Sequence, residues 1–507
     1  VKRSIAADYS SGNALLQPFY RYPVQQPSFE KIIAERKQHA VNRAVLVAHL
    51  RQQYAATTAS KAVLNNIELL GQDTTFTVTT GQQPGLFGGP LYVWYKTVSC
   101  ILLCRKLKAQ FPQYDFVPVF WVASEDHDFA EVNNTWLGFG NHAAYDGHFT
   151  SAVGRHVMGG NIGNLAGATG ANLLRSHYAA GNHWGQAFIA LLNDLFGPEG
   201  LVVLDADALA LKQLFIPTLL AEAVEGKSFA LLAGQAQKLE AMGYKAQLAP
   251  REINLFYLTN EARTRLVKTS AGEWGLAEGG KTWAEAQLRD EIQAHPERFS
   301  PNAALRPVYQ ESILPNLCYV GGWGEIAYWL ELLPVFSLYN TFYPLVLPRV
   351  SALLVTQQQQ ADMAALGLGL LDLMLPEVAL REKMILRHWN NAALNDAFYD
   401  IDIQLSLIAQ SVAALDAGQS RNVLGQQARM RKFYGRLQKK LIRRLAQRHP
   451  EWAAPAIGLK NAIQPDGTVQ ERLLNWAAFA SRNPHALVQQ LLAQLDPLDW
   501  KTRTLVV

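Results

Sequence analysis

The chain of 507 residues has only three cysteines, Cys100, Cys104 and Cys318. None stands in a CxxC pair or at a metal-ligand spacing, so a disulfide framework is excluded and a reducing, cytoplasmic setting is expected. No uninterrupted apolar run approaches the ~18 residues of a membrane span. The opening VKRSIAADYSSG meets Asp8 before any apolar signal segment can form, so neither membrane nor export is expected. Charge of one sign is scarce as well: 46 Lys and Arg against 42 Asp and Glu leave +4, too little for a dedicated nucleic-acid coat. What the chain does have is apolar surface, 49% hydrophobic residues against 17% charged, which excludes long disordered stretches. Single cores stop growing near ~250 to 300 residues, so several domains are required.

Between Phe29 and Leu70 there is neither Pro nor Gly, and apolar residues at helical spacing predict one or two long helices. TFTVTT (75–80) predicts a strand. A glycine-rich turn, GQQPGLFGGP (81–90), joins it to a helical-period segment from Leu91, and FVPVFWVA (116–123) predicts a second, buried strand. Strand, turn, helix and strand make a βαβ unit, hence a parallel sheet with a right-handed crossover. Ligands of such sheets sit beyond the carboxyl ends of the strands. Residues 1–133 therefore open a core that is expected to resume at 183–225, around GLVVLDAD (200–207), and at 300–356, with insertions at 134–182 and 226–299. From 357 to 454 the chain reads as helical. Phe398, Ile401, Leu405, Ile408, Val412 and Leu415 step by threes and fours like an a/d seam. Gly418 interrupts it, and Val423, Met430, Tyr434, Leu437 and Leu441 continue on a second helix, which predicts an antiparallel coiled-coil arm. Residues 455–507 are expected to return to the core.

Three clusters could carry chemistry. The first is the turn, with Gly81, Gln82, Gln83, Gly85, Gly88, Gly89 and, one turn into the helix, Lys96. Glycines let backbone approach a ligand, and a helix amino terminus favours an anion; the turn matches no phosphate-binding fingerprint, so a tight strand-to-helix connection explains it equally well. The second is SEDHDFAE, where Glu125, Asp126, His127 and Asp128 crowd the end of a buried strand and His127 could act as a base. A helix cap accounts for one or two of these acids. No HxH or HExxH spacing supports a metal, and none is expected. The third comprises Arg306, Tyr309 and Gln310, the second glycine turn with Gly321, Gly322 and Glu325, and Arg349. Either arginine could fork onto a carboxylate or phosphate, or serve a structural ion pair. A run of nine Lys and Arg over 428–449 reads as the solvated face of the arm.

Taken in order, TTGQQPGLFGGPLYVWYK, FVPVFWVASEDHDFAEVNN, SPNAALRPVYQESILPN and YVGGWGEIAYW resemble the bacillithiol biosynthesis cysteine-adding family, BshC. The resemblance runs nearly end to end, through QERLLNWAAF. It implies an α/β fold with a Rossmann-like parallel-sheet core, two connecting insertions and a helical coiled-coil domain. It also implies a ligase that joins L-cysteine to glucosaminyl malate in an amide bond. No cofactor is firmly implied. Amide formation from a carboxylate needs activation, so ATP or another nucleotide is the expectation. On this reading donors near Gly81 to Lys96 hold a malyl carboxylate or a phosphate. The acids of SEDHD hold the cysteine ammonium until His127 or a carboxylate takes its proton. The expected partners are the two small substrates and a second copy of the chain, met through the arm; neither membrane nor nucleic acid is expected. The alternatives are a glycosyl- or nucleotidyl-transferring enzyme on the same cleft, or a coiled-coil scaffold.

Overall fold

The computed structural model describes residues 3–55, 57–138 and 140–507. They form two compact units, one running to Leu353 and taken up again from Glu471 to Leu505, the other spanning Leu354–Gln470.

The first unit is built on a parallel sheet. Its strands are β1 (Thr75–Gln82), β2 (Asp115–Val122), β3 (Val202–Asp205), β4 (Asn316–Gly321) and β5 (Leu345–Pro348), in the spatial order β5-β4-β1-β2-β3. Helix α1 (Leu91–Gln110) connects β1 to β2; α2 (Trp184–Phe196) precedes β3 and α3 (Leu209–Glu225) follows it. Helix α4 (Arg306–Ile313) leads into β4, and α5 (Trp323–Leu338) joins β4 to β5. Every residue of β4 and all but the last of β1 are buried, the reason these strands read as unbroken runs rather than as alternation. The threonines of β1 are tolerated there because Thr77 and Thr79 donate their hydroxyls to the Asn316 side chain at 3.1 and 2.9 Å. The chain moves outward from β1 through β2 to β3, then crosses to the other side for β4 and β5. The order therefore reverses between β1 and β4, where such sheets leave a crevice.

The Pro-free amino-terminal stretch is divided into three helices, Phe29–Arg36, Arg43–Tyr54 and Lys61–Leu69. Ser28, Asn42 and Ser60 cap them, each accepting a backbone N–H with its side chain. Local capping overrides the continuous period that predicted fewer, longer helices. The 134–182 stretch holds an antiparallel strand pair, Asn134–Trp136 with His142–Ala144, and also two short helices, Ile162–Ala168 and Asn172–His177. Residues 226–299 begin with a helix, Ser228–Ala241, and continue into antiparallel strands Leu255–Leu258, Arg263–Lys268, Trp274–Leu276 and Thr282–Trp283, with Phe299–Pro301 closing the sheet. The chain rejoins the first unit at Glu471.

In the second unit α6 (Ala392–Ala413) and α7 (Ala417–Arg448) form the antiparallel hairpin. Asp416 caps α7. The expected seam divides. Phe398, Leu405 and Val412 are half-buried, and the Phe398 ring stacks on Tyr434 at 3.9 Å. Ile401 and Ile408 are exposed, and Leu415 lies beyond the end of α6 at 89% exposure. Ala409, which is buried, and the polar Asp402 and Ser406 take the intervening places. Asp402 receives two hydrogen bonds from Arg431, at 2.6 and 2.7 Å, and Gln427 donates to the Asp402 carbonyl and to Ser406. Because those polar groups find partners across the hairpin, they can occupy positions that the apolar period assigns to isoleucine. Among the described residues no helix is long and apolar enough to cross a membrane.

Candidate functional site

A cavity of about 970 Å³ opens at the carboxyl ends of β1, β2 and β4, at the reversal of strand order. Gly81 and Gln82 of β1, the residues after β2, the start of α5 and the strand carrying Arg263 all contribute to its wall.

The glycine turn lines this cavity without forming a phosphate cradle. The backbone N–H of Leu91, first in α1, donates to the Leu474 carbonyl at 2.8 Å. Asn475 donates its side-chain amide to the carbonyls of Phe87 and Gly89, and the Trp476 indole donates to Phe87. The loop is thus closed by residues 474–476, and its polar groups serve the tight connection. Gly88 has φ of 87°, and a Cβ there would stand 3.1 Å from Leu191. Its requirement for glycine comes from that left-handed φ and from packing in the core. A nucleotide phosphate consequently does not fit the turn itself.

Acidic groups gather on one side of the cavity. Asp126 follows β2, and its carboxylate accepts hydrogen bonds from Gln83 at 2.8 Å and from Arg263 at 3.3 Å. Glu131 accepts from the same Gln83 amide at 2.8 Å. Burial would raise the Asp126 carboxyl. Hydrogen bonds from His127 and Gln83 and the Arg263 charge outweigh it and hold the group well below the usual carboxylate range. Arg263 is itself buried, its guanidinium 4.0 Å from the Phe256 ring centre. The His127 ring has two arrangements open to it. Nδ1 either accepts from Arg263 at 3.1 Å or donates toward Asp126 at 3.4 Å, and the second leaves Nε2 free as a base.

Besides Arg263, four cations line the same cavity, and two of them are neutralised. Lys96, 1% exposed, pairs with Glu325 and also donates to the Gly81 carbonyl and the Gln82 side chain at 2.9 Å each. Burial pulls the Lys96 ammonium below its ordinary value, opposed by the Glu325 charge. Arg349 binds both oxygens of Glu471, at 2.9 and 2.6 Å. Arg306 differs. It donates to the Tyr328 hydroxyl at 2.6 Å and to Gln310 at 3.3 Å, and no carboxylate of the described residues stands at ion-pair distance from it. Exposed Arg472, which lines the same cavity, also has no acidic partner at ion-pair distance among the described residues. Tyr92 sits between these groups, its ring centre 5.7 Å from the Lys96 ammonium and 5.9 Å from the Arg349 guanidinium.

Two family models account for the chain: residues 1–350 match "Bacillithiol biosynthesis BshC, N-terminal Rossmann-like domain", and residues 352–507 match "Bacillithiol biosynthesis BshC, C-terminal coiled-coil domain". The chain belongs to the BshC family. Curated relatives bear the name "Putative cysteine ligase BshC". One from Cytophaga hutchinsonii is 34% identical, over 97% of this chain and 94% of the relative. Another from Flavobacterium johnsoniae is 35% identical over 97% and 95%, and one from Geobacillus kaustophilus is 29% identical over 97% and 96%.

In this BshC-family chain the cavity brings together Gly81, Gln82, Gln83, Gly85, Gly89, Lys96, Glu125, Asp126, His127, Arg306, Gly322, Glu325 and Arg349 of the residues that sequence singled out. It leaves out five. Tyr309 is fully buried, donating to the Ala206 carbonyl at 3.0 Å and packed edge-on against Trp121. Gln310 is buried behind Arg306. Asp128 caps the short helix Phe129–Val132, Gly88 faces the core, and Gly321 ends β4 behind Gly322. Glu125, although it borders the cavity, is bound at 2.6 Å to Lys212, whose ammonium also donates to the Phe299 carbonyl at 2.6 Å. Sequence reasoning missed Arg263, Lys212, Tyr92, Tyr328 and Arg472. Tyr92 and Arg472 lie inside LYVWYK and QERLLNW and were within reach of the motif; Arg263 sits in an insertion, 137 residues from Asp126, with no local signal.

Proposed function

We propose that the protein is a ligase that adds L-cysteine to glucosaminyl malate, forming the amide of bacillithiol. The carrying observation is one cavity lined both by the acidic cluster of Asp126, Glu131 and His127 and by Arg306 and Arg472, which have no acidic partner at ion-pair distance among the described residues. Glucosaminyl malate has that polarity, with an amine on the sugar and carboxylates on the malyl group. Arg306, with guanidinium N–H groups left over from Gln310 and Tyr328, forks onto a malyl carboxylate. The nucleophile is then the sugar amine, so Asp126 and Glu131 face the ammonium of the acceptor rather than that of cysteine. His127, with Nδ1 turned to Asp126, takes the proton at Nε2 as the C–N bond forms. Activation of the cysteine carboxyl, as an acyl phosphate or acyl adenylate, is chemistry that a nucleotide would supply, and phosphate or AMP would leave with the C–O bond electrons as the C–N bond forms.

Two further parts of the reading concern the setting. The exposed Ile401, Leu407 and Ile408 of the arm favour a homodimer formed there. A cytoplasmic site of action agrees with three buried, unpaired thiols. The test is direct. Purified protein given L-cysteine, glucosaminyl malate and ATP should yield bacillithiol by mass spectrometry, and cells without the gene should lose bacillithiol and accumulate glucosaminyl malate. Unchanged thiol pools in the deletion strain would reject the assignment.

A further inference from the structure

Behind Arg306 a chain of buried polar side chains runs into the sheet. Gln310, one helical turn on in α4, accepts from Arg306 with its carbonyl oxygen at 3.3 Å, and its amide nitrogen donates to Glu311 at 2.7 Å. The same Glu311 oxygen accepts the Asn316 amide at 2.8 Å, and Asn316 in turn accepts from Thr77 and Thr79 of β1. Gln310, Glu311, Asn316, Thr77 and Thr79 are all at most 2% exposed. Buried polar side chains of this kind are costly unless matched, and sheet and helix packing alone would be met by apolar residues.

The chemistry fixes the direction of the chain. An ionised carboxylate only accepts, so Gln310 must turn its NH₂ to Glu311 and is left with its oxygen for Arg306. If Glu311 takes a proton, its other oxygen, which makes no hydrogen bond, is free to carry it, and the accepting oxygen is unaltered. The amide therefore cannot flip, and the guanidinium meets a fixed acceptor on one edge and the Tyr328 hydroxyl on another. Neither contact is an ion pair, so Arg306 is oriented without being neutralised, unlike Lys96 and Arg349 on the same wall.

We propose that Gln310, oriented by Glu311, is a positioning residue that holds Arg306 open for bidentate binding of a substrate carboxylate. This rests on the reading that Arg306 meets the malyl group. Three variants test it by calorimetric titration with L-malate and with glucosaminyl malate, alongside the KM for cysteine and the melting temperature. Gln310→Leu removes the oriented acceptor, and Gln310→Glu places a carboxylate where it pairs with Arg306 directly. Both should weaken malate and glucosaminyl malate binding about 10- to 100-fold and leave the cysteine KM within a factor of about two. Should Gln310→Leu fail to fold, Gln310→Glu, which keeps a polar group, decides. Gln310 variants that bind both ligands as wild type does, or that lose cysteine and malate equally, overturn the positioning role. Arg306→Ala separates the two levels: if it leaves malate affinity untouched, the carboxylate reading of Arg306 fails and the proposal with it. If it abolishes binding while the Gln310 variants do not, only the positioning role falls.

Discussion

Glu125 stands in the ionisable cluster after β2, yet its environment predicts a structural task that can be measured. Its side chain is 8% exposed and that of Lys212 is fully buried, with 2.6 Å between the charged atoms. At an effective dielectric of about 20 that separation corresponds to about 6 kcal/mol of attraction, most of which offsets the loss of hydration of two ions. The pair as a whole therefore adds little. Removing one partner is different, because the other is left charged and buried. Lys212→Met, which strips Glu125 of its ion-pair partner and the Phe299 carbonyl of a donor, should cost about 3 to 5 kcal/mol, and Glu125→Gln should approach that. The double variant should lie within about 2 kcal/mol of wild type, a coupling of roughly 3 kcal/mol or more. Urea unfolding followed by tryptophan fluorescence measures the cycle, with Trp121 and Trp184 buried in the same unit as reporters. Turnover per folded molecule should survive in Glu125→Gln. A Lys212→Met protein within 1 kcal/mol of wild type, or strictly additive single variants, refutes the argument. Full stability with abolished turnover in Glu125→Gln would return Glu125 to the chemistry.

His127→Ala should lower turnover about 100- to 10,000-fold at an unchanged melting temperature, because the ring is partly exposed at the cavity wall; equal activity removes it from the mechanism. Glu311 gives a pH signature: burial, countered by the Asn316 and Gln310 amides, lifts its carboxyl from 4.5 to about 7. A folded-state value above the unfolded one means that its stabilising contribution is complete below pH ~4.5 and is lost as the pH rises through ~7, about 3 kcal/mol in all. Unfolding free energies of wild type and Glu311→Gln should therefore diverge over that window in favour of the variant, and parallel curves would contradict it. For the arm, light scattering should give a dimer for the wild-type chain and a monomer for Ile401→Glu/Ile408→Glu, both exposed positions; a monomeric wild type, or a dimer that tolerates both changes, places the contact elsewhere or nowhere.

What was legible in the sequence follows from how local the cause is. Strands β1, β2 and β3 and helix α2 could be read because burial on both faces demands continuous apolar runs, and the residues that demand it are consecutive. The ionisable cluster at the end of β2 was legible for the same reason. Charge balance was not. Lys96, Arg306 and Arg349 look alike in sequence, each a cation beside a glycine turn or a strand. Lys96 pairs with Glu325 and Arg349 with Glu471, acids 229 and 122 residues away (325 − 96 and 471 − 349), while Arg306 has no ion-pair partner among the described residues. The glycine turn was open to two readings for the same reason, since the groups that close it come from Asn475 and Trp476, more than 380 residues further on. A motif thus reports which side chains a site contains, while the long-range pairings decide which of them keep free charge. In this cavity those pairings leave Arg306, at the start of α4, and Arg472 without an acidic partner among the described residues, while Asp126, Glu131 and His127 cluster after β2, and on that division rest both the proposed ligation chemistry and the proposed role of Gln310.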